Sequence, residues 1–133
     1  MRPACSTTYR RRGSAGVDAI AVGSSNPDAN GRMFAADDGG TAAWRFRNGR
    51  LAQAWRIGTG GTSPVVAGGL LWVYNPRGGL DVYVPASGRL VATLEAGGGH
   101  WNSPIVVDGR VALPEGNANE HRLSGVLDIW HLP

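Results

Sequence analysis

The sequence predicts an all-β protein built from four-stranded antiparallel units. Glycine makes up 21 of 133 residues, well above the usual ~7%, and the glycines fall between short apolar runs. This distribution is typical of many tight turns. No long stretch places apolar residues at the helical spacing i, i+3, i+4 and i+7. A chain of this length is long enough for one ordinary domain with one core.

The central stretch, residues 61–94, shows the repeating unit most completely. It contains four short β-type segments separated by three turn signals, which predicts a four-stranded antiparallel meander. The predicted strands are Ser63–Ala67, Leu70–Tyr74, Leu80–Val84 and Arg89–Glu95. The turns are predicted at Gly68-Gly69, at Asn75–Gly79 and at Ser87-Gly88.

Parts of the same unit lie on both sides of this stretch. Residues 1–30 are rich in Ser, Gly, Ala and Arg and are predicted to be mostly irregular, although the run at 17–22 could form one strand. The further predicted strands are Met33–Ala36, Ala42–Phe46, Leu51–Ile57, Asn102–Val107, Arg110–Leu113 and Val126–Leu132. Asn48-Gly49 is a strong hairpin signal. A long polar loop is expected from Pro114 to Ser124.

The units repeat in phase. Ser63-Pro64-Val65-Val66 returns 40 residues later as Ser103-Pro104-Ile105-Val106. Gly49-Arg50-Leu51 returns after 39 residues as Gly88-Arg89-Leu90, and Leu80-Asp81-Val82-Tyr83 returns after 47 as Leu127-Asp128-Ile129-Trp130. A period near 40 with four strands per unit is typical of a β-propeller blade. The alternative is a small barrel or sandwich.

The strand count predicts a partial β-propeller of about two and a half blades over residues 31–133. The first unit is expected to contribute three strands, the second four and the third three. Because a propeller usually closes with at least four blades, we expect the missing blades to come from a longer chain or from association with another protein chain. A truncated product without independent function is a further alternative.

The residues of the central stretch resemble the PQQ-like β-propeller repeat. The resemblance covers roughly residues 33–133 and rests on the run from Ser63 to Tyr74, on Gly79–Tyr83 and on Ser87–Leu90. It implies that Trp55, which follows the Asn48-Gly49 turn, packs between blades. Members of this family include quinone-dependent dehydrogenases and non-catalytic scaffolds, so PQQ and Ca²⁺ are implied as cofactors of some members. The resemblance also suggests a periplasmic or extracellular location.

Composition excludes several classes of function. Cys5 is the single cysteine, which excludes an intramolecular disulfide and a cysteine-based metal cluster. No apolar run is long enough for a transmembrane segment, and no signal peptide can be recognised. Residues 1–56 hold nine Arg against four acidic residues, but no aromatic residues are interleaved in a basic patch. Nucleic acid is therefore not predicted as a partner.

Strand parity predicts that four irregular connections lie on one face of the molecule. Because each antiparallel strand reverses direction, residues 58–62, 75–79, 97–102 and 114–125 should meet there, whereas the other face receives only tight turns. Loops on a rigid scaffold often carry function. The candidates for cofactor binding on this face are His100, Trp101, Asn75 and Arg77. An indole at Trp101 could stack on a planar ligand, or it could simply pack over the inner strands.

The last loop also offers oxygen and imidazole ligands. The candidates for a metal site are Glu115, Asn117, Asn119 and His121, and Ca²⁺ accepts such ligands. The alternative is a solvated loop whose Asn side chains satisfy turn backbone. No nucleophile motif, phosphate loop or metalloprotease motif is present. The sequence therefore favours a non-catalytic structural or protein-interaction module over the C-terminal part of a quinone- or metal-dependent oxidoreductase.

Overall fold

The computed structural model describes residues 19–22, 31–100, 102–117 and 125–132, and this part of the chain forms thirteen β-strands and no helix. The predicted all-β class is therefore confirmed. The strands are β1 Ala19–Val22, β2 Arg32–Asp37, β3 Gly40–Arg47, β4 Arg50–Ile57, β5 Val65–Ala67, β6 Leu70–Tyr74, β7 Leu80–Tyr83, β8 Leu90–Leu94, β9 Gly99–His100, β10 Ile105–Val107, β11 Arg110–Pro114, β12 Gly116–Asn117 and β13 Leu127–His131.

These strands form three antiparallel sheets and one small parallel pair. The first sheet has the order β1-β2-β3-β4, the middle sheet β5-β6-β7-β8 and the third sheet β10-β11-β13. Strand β12 pairs in parallel with β9. In the first and middle sheets, neighbouring strands follow one another along the chain, as in a meander, whereas in the third sheet β12 lies between β11 and β13 in the sequence.

The hairpin turns form where the sequence predicts them. Asn48 and Gly49 have φ values of 50° and 73°, and Asp108 and Gly109 have values of 47° and 70°. Two successive residues at positive φ make the turn whose twist matches that of the flanking strands. Strands β5 and β10 begin one residue after Pro64 and Pro104. A proline has no N–H to donate to a neighbouring strand, which explains these starts.

Three sequence predictions require correction. The first sheet has four strands instead of three, because Ala19–Val22 pairs with residues 33–36 of β2. This strand lies in the run at 17–22, for which the sequence allowed one strand, so that prediction is confirmed and only the strand count of the first sheet was wrong. The remaining residues of the segment 1–30 lie outside the described part. The break at residues 97–102 contains β9, and the loop after Pro114 contains β12. Two-residue strands made of Gly-His and Gly-Asn carry no β-type pattern that would predict them.

The first and middle sheets share an irregularity at equivalent positions. The register of β3 against β4 shifts between Ala43 and Trp44, and that of β7 against β8 shifts between Val82 and Tyr83. The two sites are 39 residues apart, which is the spacing at which Gly-Arg-Leu recurs in the sequence. A β-bulge at the same place in both sheets indicates that the sequence repeat is also a structural repeat.

The core lies in two layers, one on each side of the middle sheet. The layer between the first and middle sheets is built on Phe34, Ala36, Ala43, Leu71, Val73 and Tyr83. The layer between the middle and third sheets is built on Trp72, Tyr74, Leu80, Val82, Val111 and Leu113. The middle sheet is thus apolar on both faces, which explains why all four residues of β7 are buried.

Trp55 packs between the first and middle sheets, as the resemblance implied. Its indole N–H donates a hydrogen bond of 2.9 Å to the backbone carbonyl of Pro85, in the turn that follows β7. The ring lies against Gly88 of the same turn, where an added Cβ would come within 2.7 Å of an indole carbon. Gly88 also has a φ of 70°, so both the turn and the indole require glycine there.

Candidate functional site at the loop face

The irregular connections meet at one end of the sheets. The loop face is defined here as residues 58–64, 75–79, 95–100, 102 and 114–117. The amide of Gly61 donates to the carbonyl of Asp37, and the amide of Gly99 donates to the carbonyl of Pro76, each at 3.2 Å. These two bonds join equivalent places in successive repeats. The predicted gathering of loops is therefore confirmed for the described segments.

Asn102 ties together three parts of the loop face. Its side-chain amide donates to the carbonyl of Pro114 at 2.8 Å and to that of Gly116 at 3.1 Å. Its own carbonyl accepts a hydrogen bond from the Thr62 hydroxyl. The Asn102 side chain thus links the segment before β10 to the end of β11. The Thr62 hydroxyl connects the segment before β10 to the segment before β5, in the middle sheet.

Asn75 and Arg77, two of the predicted ligand-binding residues, belong to a tight turn. The side-chain oxygen of Asn75 accepts a hydrogen bond of 3.0 Å from the amide of Arg77. The backbone of Asn75 is bonded to Gly78 and Gly79 in the same turn. Arg77 is exposed. Asn75 therefore closes the connection from β6 to β7, as Asx residues commonly do in turns.

The remaining predicted residues are only partly described. His100 lies in β9 and Asn117 lies in β12, and the two residues pair with each other across these parallel strands. Trp101, Asn119 and His121 lie outside the described residues, so the planar-ligand and Ca²⁺ predictions for them stay predictions. Within the described ranges, no group of three or more His, Cys, Asp or Glu side chains converges on a common point.

Glu115 lies beside Asp128 and Tyr74, two residues that the sequence did not indicate. Glu115 accepts a hydrogen bond from the amide of Gly97, and the Tyr74 hydroxyl donates to the carbonyl of Gly97 at 2.8 Å. Burial raises the pKa of the Asp128 carboxyl, and the neighbouring Glu115 carboxyl raises it further. Burial likewise raises the pKa of Tyr74, with a contribution from both carboxylates.

This arrangement has a definite chemical capacity. A carboxyl group whose pKa is raised by burial and by a neighbouring carboxyl group keeps its proton to a higher pH than an exposed aspartate does. Oxygen atoms of this kind also suit a hard cation. The sequence pattern does not reveal the pair, because Asp128 lies in a predicted strand that repeats the pattern around Asp81, whereas Glu115 lies in a predicted loop. The signal that would have revealed it is strand order, since β11 and β13 are neighbours and Pro114 pairs with Leu127.

Comparison with known proteins gives a likeness of fold alone. No protein-family model matches the chain, and no curated protein matches it. Among solved structures, the crystal structure of the computationally designed Ika4 protein is similar, with a TM-score of 0.54 and 13% sequence identity. The match covers 77% of this chain and 61% of the designed protein. Among the described residues, no helix has the length and apolar character needed to cross a membrane.

Proposed function

We propose that this chain is a non-catalytic β-propeller segment of the PQQ-like type, and that it acts as a structural module that packs against a further sheet of the same kind. The observation that carries this proposal is an exposed apolar face on the third sheet. We call it the forward face; its side chains are Ile105, Val107, Leu127 and Ile129, each more than half exposed.

The direction of packing supports the proposal. Val65, Trp72 and Val82 of the middle sheet point toward the third sheet. Their counterparts in the sequence repeat are Ile105, Ala112 and Ile129. The opposite faces also correspond, because Val66 packs toward the first sheet and its counterpart Val106 packs toward the middle sheet. Each sheet therefore uses the same face toward the sheet before it.

Head-to-tail packing of this kind can continue by adding further sheets in the same orientation. A heterologous interface repeats until a rotation closes it into a ring or until it extends as an open stack. Strands β5 and β10 are in contact, which is the relation expected of innermost strands of neighbouring blades. A further sheet on the forward face would continue the series, and its partner surface would be the face that the first sheet turns away from the middle sheet.

A second copy of the chain is the simplest source of such a sheet, so self-association tests the proposal. We expect the weight-average mass of the purified chain to rise above that of a monomer as concentration increases in sedimentation experiments. Ile129→Glu places a charge on the forward face and should weaken association by at least about tenfold, because burying an apolar side chain contributes about 1.5–3 kcal/mol. Val91→Glu, on the exposed edge strand β8, is the matched control and should associate as the wild type does.

Two results would contradict the proposal. The first is a wild-type chain that stays monomeric up to the highest concentration reached. The second is equal association of Ile129→Glu and Val91→Glu. A separate titration addresses the non-catalytic part: PQQ with Ca²⁺ should cause no saturable change in the fluorescence of the five tryptophans, and a saturable change would favour an oxidoreductase.

A further inference from the structure

The end of the first sheet opposite the loop face holds an open pocket of about 400 Å³ lined by three arginines. We call it the arginine pocket. Its lining residues are Arg32, Arg45, Arg47, Ala52, Gln53, Ala54 and Ala86. The first six belong to the first sheet, and Ala86 belongs to the turn between β7 and β8. The pocket therefore lies where the first and middle sheets meet, next to the docked Trp55.

The strand register brings the positive charges together. Arg32 of β2 pairs with Arg45 of β3, and Arg45 pairs in turn with Ala52 of β4. Arg47 follows two residues after Arg45 on the same strand, so it lies on the same side of the sheet. Like charges directly opposite one another destabilise a sheet. A cluster of this kind needs a compensating interaction.

The guanidinium groups lack such an interaction within the described part of the chain. Arg32 is 5% exposed, yet its Nε and Nη1 atoms have no hydrogen-bond partner there, and neither does the buried Nε of Arg45. Burial lowers the pKa of Arg32, and the charge of Arg45 lowers it further. By contrast, Arg56 at the loop-face end donates to the carbonyl of Gly39 at 3.0 Å. Buried donors without partners are uncommon and require an explanation.

From these observations we infer that the arginine pocket binds a phosphate group. Guanidinium groups donate paired hydrogen bonds to phosphate oxygens, and a dianion offsets more of the clustered positive charge than a single carboxylate does. The volume is within the range of small-molecule sites, about 300–1,000 Å³. Ala52, Ala54 and Ala86 are the apolar residues of the lining. This composition suits inorganic phosphate and equally a phosphate ester with a small organic group.

Arginine side-chain NMR tests the inference on the full chain. Inorganic phosphate, titrated against chloride at equal ionic strength, should shift the Nε–Hε signals of Arg32 and Arg45 saturably. Arg45→Gln should weaken binding by about tenfold or more, since a hydrogen bond to a charged group is removed. Arg77→Gln makes the same change in net charge at the opposite end and should leave binding unchanged. Arg45→Lys keeps the charge and should recover part of the affinity.

A phosphate ester identifies the source of the phosphate group. Phenyl phosphate that binds several-fold more tightly than inorganic phosphate supports a site for an organic ester, and equal affinities support a site for free phosphate. The inference is overturned if the wild type shows no saturable shift, or if Arg45→Gln and Arg77→Gln bind equally.

Discussion

The middle and third sheets contain the same sequence element in different surroundings. Asp81 of the middle sheet is buried, and its carboxylate accepts hydrogen bonds from the hydroxyl groups of Thr93 at 2.7 Å and Tyr83 at 3.2 Å. Asp128 aligns with Asp81, but one of its oxygens, Oδ2, has no partner among the described residues. Thr93 belongs to β8, and the described part of the third sheet has no strand beyond β13.

The burial and hydrogen bonding of this four-residue motif depend on the neighbouring strands and sheets as much as on the motif itself. Leu80 is fully buried because the third sheet covers it, whereas its counterpart Leu127 is 60% exposed. Asp81 is satisfied by the fourth strand of its sheet, whereas Asp128 is left beside Glu115. The same four-residue pattern therefore gives a closed structural element in one place and an open apolar face with a perturbed carboxyl group in the other.

The largest expected effect is the difference in unfolding free energy between alanine variants of Leu80 and Leu127. Leu80→Ala should lower the free energy of unfolding by about 2–5 kcal/mol, because it leaves a cavity in a packed layer. Leu127→Ala should change it by no more than about 0.5 kcal/mol in dilute solution, as for an exposed position. Urea unfolding at a concentration where the chain is monomeric measures both. Equal losses would mean that Leu127 is covered in solution.

Alanine variants of Gly49 and Gly88 allow a second comparison, between hairpins of the first and middle sheets. Gly49 and Gly88 occupy equivalent turns with φ values of 73° and 70°, but only Gly88 contacts Trp55, and nothing lies within 4 Å of a Cβ at Gly49. Gly49→Ala should cost about 1 kcal/mol of unfolding free energy from the backbone alone. Gly88→Ala should cost about 1–3 kcal/mol more, because the indole must move. Thermal unfolding of both variants checks the difference, and equal losses would exclude the role assigned to Trp55.

The smallest effects concern the two aspartates. Asp81→Asn should lower the free energy of unfolding by about 1–2 kcal/mol, because charged hydrogen bonds are weakened. Asp128→Asn should be neutral or stabilising once the wild-type carboxyl is ionised. Since the folded state binds the Asp128 proton more tightly than the unfolded state does, wild-type stability should fall as pH rises from the ordinary pKa of 3.8 through the raised value.

Urea unfolding as a function of pH measures this contribution. The stability difference between Asp128→Asn and the wild type should grow in favour of the variant as pH rises through that window, and then level off. Glu115→Gln is the companion variant, and it should reduce the effect because it removes the charge that adds to the shift in the pKa. A difference that does not depend on pH would contradict the perturbed pKa of Asp128.

Most of the strand order was predictable because the signals are local. Turns such as Asn48-Gly49 and Asp108-Gly109 restrict the backbone by their own chemistry, and the apolar runs between them set strand lengths. Strand β9, by contrast, depends on pairing with β12, sixteen residues away or more, and its residues carry no strand pattern. A strand pairing that forms only through tertiary packing cannot be predicted from the residues of a short polar segment.

The candidate sites were less predictable than the strands. Asn75 was expected as a possible ligand because its loop is irregular, yet its side chain completes a turn. The repeat aligns Asp128 with Asp81, yet the described part of the third sheet has no strand beyond β13 that could supply a hydroxyl group to it. The excess of arginine in residues 1–56 was noted in the sequence, but no site was predicted from it. In the hairpin that joins β2 and β3, Asp37 pairs with Gly40. Counting back along β2 and forward along β3 from that pair, one residue at a time, reaches Arg32 opposite Arg45, so their proximity was predictable from the hairpin.

The meander arrangement has a consequence for how the chain folds. Almost every backbone pairing joins strands that are neighbours in sequence, so each sheet can form after closing only short loops. Repeat arrays can begin folding at any unit and propagate to the neighbouring units. The middle sheet has packed neighbours on both faces, so its amides should be the slowest to exchange with solvent, and opening should start from the outer sheets.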